Sequence, residues 1–116
     1  MAKDSKSEDR IHQECYLWFH NAYPKYRGLL NYNLNNSANA RQGKKNKEMG
    51  LQAGRSDFEF LWNEKVYFIE IKTETGYQSK IQKEWQALAE SQGFTYFIVR
   101  SSKLFTELIE SIIKNN

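Results

Sequence analysis

The chain has little of what usually organises a small protein from outside its core. It holds one cysteine, one proline and six glycines in 116 residues. A lone thiol, Cys15, excludes an internal disulfide framework and suits a reducing compartment. No apolar stretch approaches the roughly 20 residues needed to span a bilayer, so no membrane association is expected. With Pro24 as the single proline and no Gly-rich stretch or internal repeat, nothing divides the chain, and residues 1–116 read as one domain. The first nine residues, Met-Ala-Lys-Asp-Ser-Lys-Ser-Glu-Asp, lack the apolar segment of a secretory signal, so an intracellular, cytoplasmic setting is expected.

What is present fits a folded globular domain: hydrophobic residues are 40% of the chain, aromatics 15% and charged residues 27%. The net charge is only +3, but it is unevenly spread. Between residues 36 and 56 stand Arg41, Lys44, Lys45, Lys47 and Arg55 against the single acid Glu48. A local basic segment on a near-neutral body suits a polyanionic partner met on one side; a solvated loop that is basic by chance would look the same.

Periodicity predicts the order α-β-β-β-α-β-α. Residues 7–22 read as a helix with Ser7 as N-cap and Ile11, Cys15, Trp18 and Ala22 as its buried stripe, ended by Pro24. Leu30, Tyr32 and Leu34 alternate with asparagines, as in a half-buried strand. The polar segment 36–56 reads as a long basic loop, functional or mobile. Runs at 57–62 and 66–72, joined by Asn63-Glu64-Lys65, predict a hairpin. Residues 80–92 form an amphipathic helix with Ile81, Trp85, Leu88 and Ala89 on one face and Gly93 as its C-terminal stop. An apolar strand at 94–99 and a last helix at 103–114, burying Leu104, Phe105, Leu108 and Ile112, complete the chain. The strand–helix–strand passage at 66–99 implies a parallel pair within a mixed sheet.

Three features carry possible chemistry. Glu14 lies about 60° from Ile11 and about 40° from Trp18 around the first helix, so an acid intrudes on the apolar stripe. It needs a partner, a metal or a route to water. Glu70 and Lys72 close an apolar strand and share one face, being two residues apart. By itself that pair is an ordinary strand-end ion pair. Asp57, however, opens the preceding strand, and hairpin pairing sets it beside Glu70. Two adjacent carboxylates call for a cation, and all-oxygen ligation suits magnesium or manganese, with Lys72 near enough to serve a phosphate or a water.

Other candidates are weaker. His12, Cys15 and His20 are too few for zinc, with Cys15 read as core and the histidines as surface. Gly50 and Gly54 lack the spacing of a phosphate loop. Tyr77 and Gln78 precede a helix at the expected rim, as a turn or as a nucleic-acid contact. Trp18, Trp62 and Trp85 read as core.

With its strand order and the residues Asp57 and Glu70-Ile-Lys72, the chain resembles the PD-(D/E)XK nuclease superfamily, and more narrowly the VRR-NUC (virus-type replication-repair nuclease) domain. The matching segments are Gly50-Leu-Gln-Ala-Gly-Arg-Ser-Asp57, Phe68-Ile-Glu-Ile-Lys72, Ser79-Lys-Ile-Gln82, and Ser91-Gln-Gly-Phe94 leading into 96–101, over about residues 11–110. The resemblance implies a restriction-endonuclease-like α/β core: a central mixed four-stranded sheet flanked by helices, plus a C-terminal helix. It implies a Mg2+- or Mn2+-dependent endonuclease that hydrolyses DNA phosphodiester bonds. The metal would be held by Glu14, Asp57, Glu70 and the Ile71 carbonyl. Lys72 would be the catalytic lysine, and Gln82 would stand at the site edge, where Ser79-Lys-Ile-Gln82 also forms a capping box. Ser56 replaces the proline common in the family before the aspartate and leaves that strand entry looser. Arg41, Lys44, Lys45, Lys47 and Arg55 would grip DNA phosphates. Stand-alone relatives act as homodimers on branched DNA such as Holliday (four-way) junctions, in repair and recombination. A phage-encoded member would work in its host's cytoplasm. The alternatives are a non-catalytic nucleic-acid-binding module of the same fold and an interaction protein in which Glu70 and Lys72 are only an ion pair.

Overall fold

The computed structural model describes residues 6–33 and 39–115. Helix α1 runs Glu8–Ala22 and is followed by a 3-10 turn at Pro24–Tyr26 and strand β1 at Leu30–Tyr32. Helix α2 (Ala40–Glu48) precedes the strands β2 (Phe58–Trp62) and β3 (Lys65–Ile71). Helix α3 (Lys80–Ser91), strand β4 (Thr95–Val99) and helix α4 (Ser102–Asn115) close the chain. The sheet order is β1-β2-β3-β4, antiparallel except for the parallel β3–β4 pair. This is the mixed four-stranded sheet expected. No helix among the described residues is long and apolar enough to cross a membrane.

Local chemistry explains the boundaries. The Ser7 side chain accepts a hydrogen bond from the Arg10 N–H and caps α1, and the helix stops at Ala22, just before Tyr23 and Pro24. Asn63 and Glu64 both have positive φ, 52° and 66°, so the hairpin turns on two left-handed residues whose twist matches that of the strands. Helix α3 opens with the full capping box: Ser79 accepts from the Gln82 N–H at 3.2 Å, and Gln82 Oε1 accepts from the Ser79 N–H at 2.8 Å.

The expected basic loop at 36–56 is corrected in part. Asn39 caps α2 by accepting from the Gln42 N–H, and nine residues of that segment are helical. The helix buries no side chain, so it left no apolar period in the sequence to find. Leu34 lies outside the described residues.

One sheet face forms the main core. Ile11, Cys15 and Phe19 of α1 and Phe105, Ile109 and Ile112 of α4 pack on Phe58, Phe60, Ile69, Ile71 and Val99. Cys15 is fully buried, and burial pushes its thiol up to about 12, far from a reactive thiolate. Phe19 takes the inward position expected of Ala22, which is exposed. The opposite face is smaller: Phe68, Tyr96 and Ala89, flanked by Val66 and Trp85. Helix α3 packs its apolar side chains Trp85 and Ala89 on the sheet. Ile81 and Leu88, expected on its buried face, are 53% and 64% exposed, and Leu104 of α4 is exposed as well. Trp18 and Trp62 are half-buried against the main core, and Trp85 against the smaller one. His12 and His20, expected at the surface, are half-buried too.

Candidate active site

Glu70 and Lys72 follow Phe68 at two-residue spacing and so belong to the α3 face of the sheet, at the carboxyl end of β3. Both are buried: Glu70 is 0% and Lys72 6% exposed. A fully buried carboxylate must be satisfied by donors or a cation. Its Oε1 accepts from the Tyr96 hydroxyl and from Gln78 Nε2 at 3.1 Å. Its Oε2 accepts no hydrogen bond from the described residues and faces Lys72 Nζ at 3.5 Å.

Asp57 joins this pair through the backbone. The β2–β3 register sets Phe58 opposite Ile69, which places Asp57 at the level of Glu70. Asp57 Oδ2 accepts from the Ile71 N–H at 2.6 Å. The N–H and C=O of one strand residue point to the same side, so the Ile71 carbonyl is directed to the β2 side as well. Burial raises the Asp57 carboxyl from 3.8 to about 6; the Ile71 N–H opposes that rise, Glu70 and Glu8 add to it, and Lys72 counters it.

The loop into β2 is held firmly despite its lack of proline. Ser56 is fully buried, and its hydroxyl donates to the Phe58 carbonyl at 2.9 Å. Asn33 clamps the same turn, its side-chain Nδ2 donating to Ser56 O at 3.1 Å and its N–H to Asp57 O at 2.8 Å. These bonds do the work that a fixed proline φ would do, and the looser entry expected here is not seen.

A cleft of about 640 Å3 opens above Asp57, lined by Glu8, His12, Tyr32, Gly54 and Gln82 among others. Gly54 has φ +84°, and a Cβ there would lie 2.4 Å from Ile81 Cγ2, so the wall of the cleft requires glycine. His12 stacks on Phe58 with ring centroids 4.1 Å apart, and its desolvated ring titrates below the ordinary histidine range. Gln82 lines the cleft edge while completing the capping box.

Glu14 is not brought to this cluster. Its carboxylate meets Lys6 Nζ at 2.8 Å and Arg10 Nε at 3.7 Å, and these cations with the Ser102 hydroxyl hold it below the usual carboxylate range. The acid of α1 that does reach the site is Glu8, whose Oε2 lies 3.7 Å from Lys72 Nζ. Lys72 thus stands between Glu70 and Glu8. Sequence reasoning missed Glu8 because it sits on the first turn, outside the apolar stripe; its nearness to the helix start, and so to the sheet end, was the available signal.

Arg41, Lys44, Lys45 and Lys47 are exposed along α2. Arg55 is not of this group: its guanidinium pairs with Glu59 and lies over the Trp85 ring, 5.6 Å from the centroid. It braces α3 against the sheet.

Among the described residues, no three His, Cys, Asp or Glu side chains gather closely enough to cage a metal. Magnesium does not require such a cage. It is commonly held by one or two carboxylates, with water and phosphate completing the shell. Asp57, Oε2 of Glu70 and the Ile71 carbonyl are an all-oxygen set of that kind, so the residues present fit such an ion.

No protein-family model and no curated protein matches the chain. Among solved structures, a protein described as a VRR_NUC domain protein superposes with a TM-score of 0.79 at 20% identity, over 97% of this chain and 93% of that one. The fold is therefore restriction-endonuclease-like. More narrowly, it is the fold of a VRR-NUC domain, with the C-terminal helix included.

Proposed function

We propose that the chain is a divalent-metal-dependent deoxyribonuclease that hydrolyses phosphodiester bonds. The observation that carries this reading is the convergence of Asp57, Glu70 and Lys72 at one sheet end, with one buried Glu70 oxygen accepting no hydrogen bond from the described residues. Asp57, Glu70 Oε2 and the Ile71 carbonyl would hold Mg2+ or Mn2+, with Glu8 rather than Glu14 as the nearby acid of the first helix. When bound, such an ion acidifies water and offsets charge on the phosphate.

The remaining roles belong to the chain itself. Lys72 is fixed between two carboxylates and presents its ammonium to the attacking hydroxide and to charge developing on phosphorus. The Ile71 N–H holds the Asp57 carboxylate in one orientation. Gln82 borders the phosphate path at the N-terminus of α3. The α2 cations grip backbone phosphates without reading sequence, so affinity falls steeply with salt. The resemblance to VRR-NUC domains supports branched DNA as substrate and a homodimer whose two-fold axis pairs the nicks.

The test is nicking of a four-way junction and of linear duplex in Mg2+, Mn2+ or EDTA, by the wild type and Lys72→Ala. Metal-dependent nicking of the junction that falls at least about 100-fold in Lys72→Ala, with DNA binding retained, is the expected result. A wild-type protein that binds junctions but cuts nothing with either ion is a binding module of this fold.

A further inference from the structure

Glu70 is served unevenly. Two donors converge on Oε1, whereas Oε2 accepts no hydrogen bond from the described residues and faces the Lys72 ammonium at 3.5 Å. A carboxylate can turn about its last torsion, so this asymmetry requires groups that hold it. Tyr96 pairs with Phe68 in the parallel β3–β4 register, and its ring extends along the sheet far enough for the hydroxyl to meet Glu70. That ring is itself wedged against Trp85, with centroids 6.1 Å apart. Gln78 comes from the loop between β3 and α3. Its Nε2 donates to Glu70 Oε1 at 3.1 Å and to Gln86 Oε1 at 2.8 Å, and Gln86 in turn donates to Glu90. Both protons of the Gln78 amide are therefore committed, which fixes its orientation. The loop carrying it is pinned by Arg100, whose Nη1 donates to the carbonyls of Thr73 at 2.7 Å and Gly76 at 2.8 Å.

We infer that Tyr96 and Gln78 are positioning residues for Glu70: together they clamp Oε1 so that Oε2, turned toward the Lys72 ammonium, is presented to a divalent cation beside Asp57. This rests on the metal-dependent reading above. Neither residue touches the reacting atoms. Partners of ligands commonly change metal affinity 10- to 100-fold when removed, because the ligand must otherwise be ordered on binding.

The experiment measures Mn2+ affinity of the DNA-free protein by electron paramagnetic resonance for wild type, Tyr96→Phe and Gln78→Leu, alongside thermal unfolding in EDTA. Tyr96→Phe keeps the ring and its packing; Gln78→Leu alters a loop residue and serves if the first variant does not fold. Expected is a weakening of Mn2+ binding by about 10-fold or more in each folded variant. A purely structural role would lower the melting temperature and leave Mn2+ affinity unchanged, and that result overturns the inference. Wild-type protein that binds no Mn2+ overturns the metal-dependent reading itself, so the two failures are distinguishable.

Discussion

Replacing Asp57 by asparagine should stabilise the metal-free protein while abolishing its activity. The carboxylate is desolvated, faces Glu70 and Glu8, and is raised from 3.8 to about 6. At about 1.4 kcal/mol per pH decade, that rise corresponds to roughly 3 kcal/mol of unfavourable ionisation at neutral pH. The cleft admits solvent on one side, which reduces the figure to about 1–2 kcal/mol. Asparagine keeps an oxygen to accept from the Ile71 N–H and carries no charge. For a domain of this size about 1 kcal/mol moves the melting temperature by roughly 4 °C, so Asp57→Asn should melt about 4–8 °C higher in EDTA at pH 7.5. The pH dependence has a definite sign. Because the folded-state value lies above the unfolded one, the folded protein binds the proton more tightly between pH 3.8 and 6; wild-type stability therefore falls as pH rises through that window and levels off above it. The asparagine variant should lack that slope. Adding Mn2+ should raise the wild-type melting temperature and leave the variant nearly unmoved. Differential scanning calorimetry across this series is the assay. A variant that melts at or below wild type in EDTA would refute the reasoning, since it would mean that burial and the neighbouring acids do not penalise the Asp57 charge.

Six further substitutions follow from the same geometry. Gly54→Ala forces a Cβ to within 2.4 Å of Ile81 Cγ2 at a left-handed φ, and should cost about 1–3 kcal/mol in urea unfolding. Arg55→Ala should lower stability and leave the salt dependence of DNA binding unchanged, whereas Lys44→Ala and Lys45→Ala should each reduce the slope of log affinity against log salt by about one, read by fluorescence anisotropy. Glu14→Ala should leave the metal dependence of nicking intact, while Glu8→Ala alters it, in the same assay with titrated Mg2+.

The parts of the fold legible in sequence are those where one local rule acts alone. Ser7 and Pro24 bracket the first helix, Ser79 and Gln82 start the third, and two strand-like runs around a short polar turn mark β2 and β3. Hairpin pairing also placed Asp57 beside Glu70, because antiparallel register follows from the turn. What escaped depended on distance along an element or on weak signals. Glu14 satisfied the angular test on α1, yet it lies six residues beyond Glu8, about 9 Å farther along the axis, and is held by Lys6, Arg10 and Ser102 instead. Helix α2 escaped because a helix that buries nothing has no apolar period. Arg55 looked like one more surface cation, and only the tertiary structure sets Glu59 and Trp85 around it. Tyr96 read simply as one residue of an apolar strand, since the reach of its hydroxyl to a neighbouring strand leaves no trace in spacing.

Crystals soaked in Mn2+ and recorded at the manganese absorption edge test the central claim most directly. The account predicts one anomalous peak ligated by Asp57 and Glu70 Oε2, with Lys72 beside it. A peak elsewhere, or none at saturating Mn2+ in protein shown to cut DNA, would contradict it.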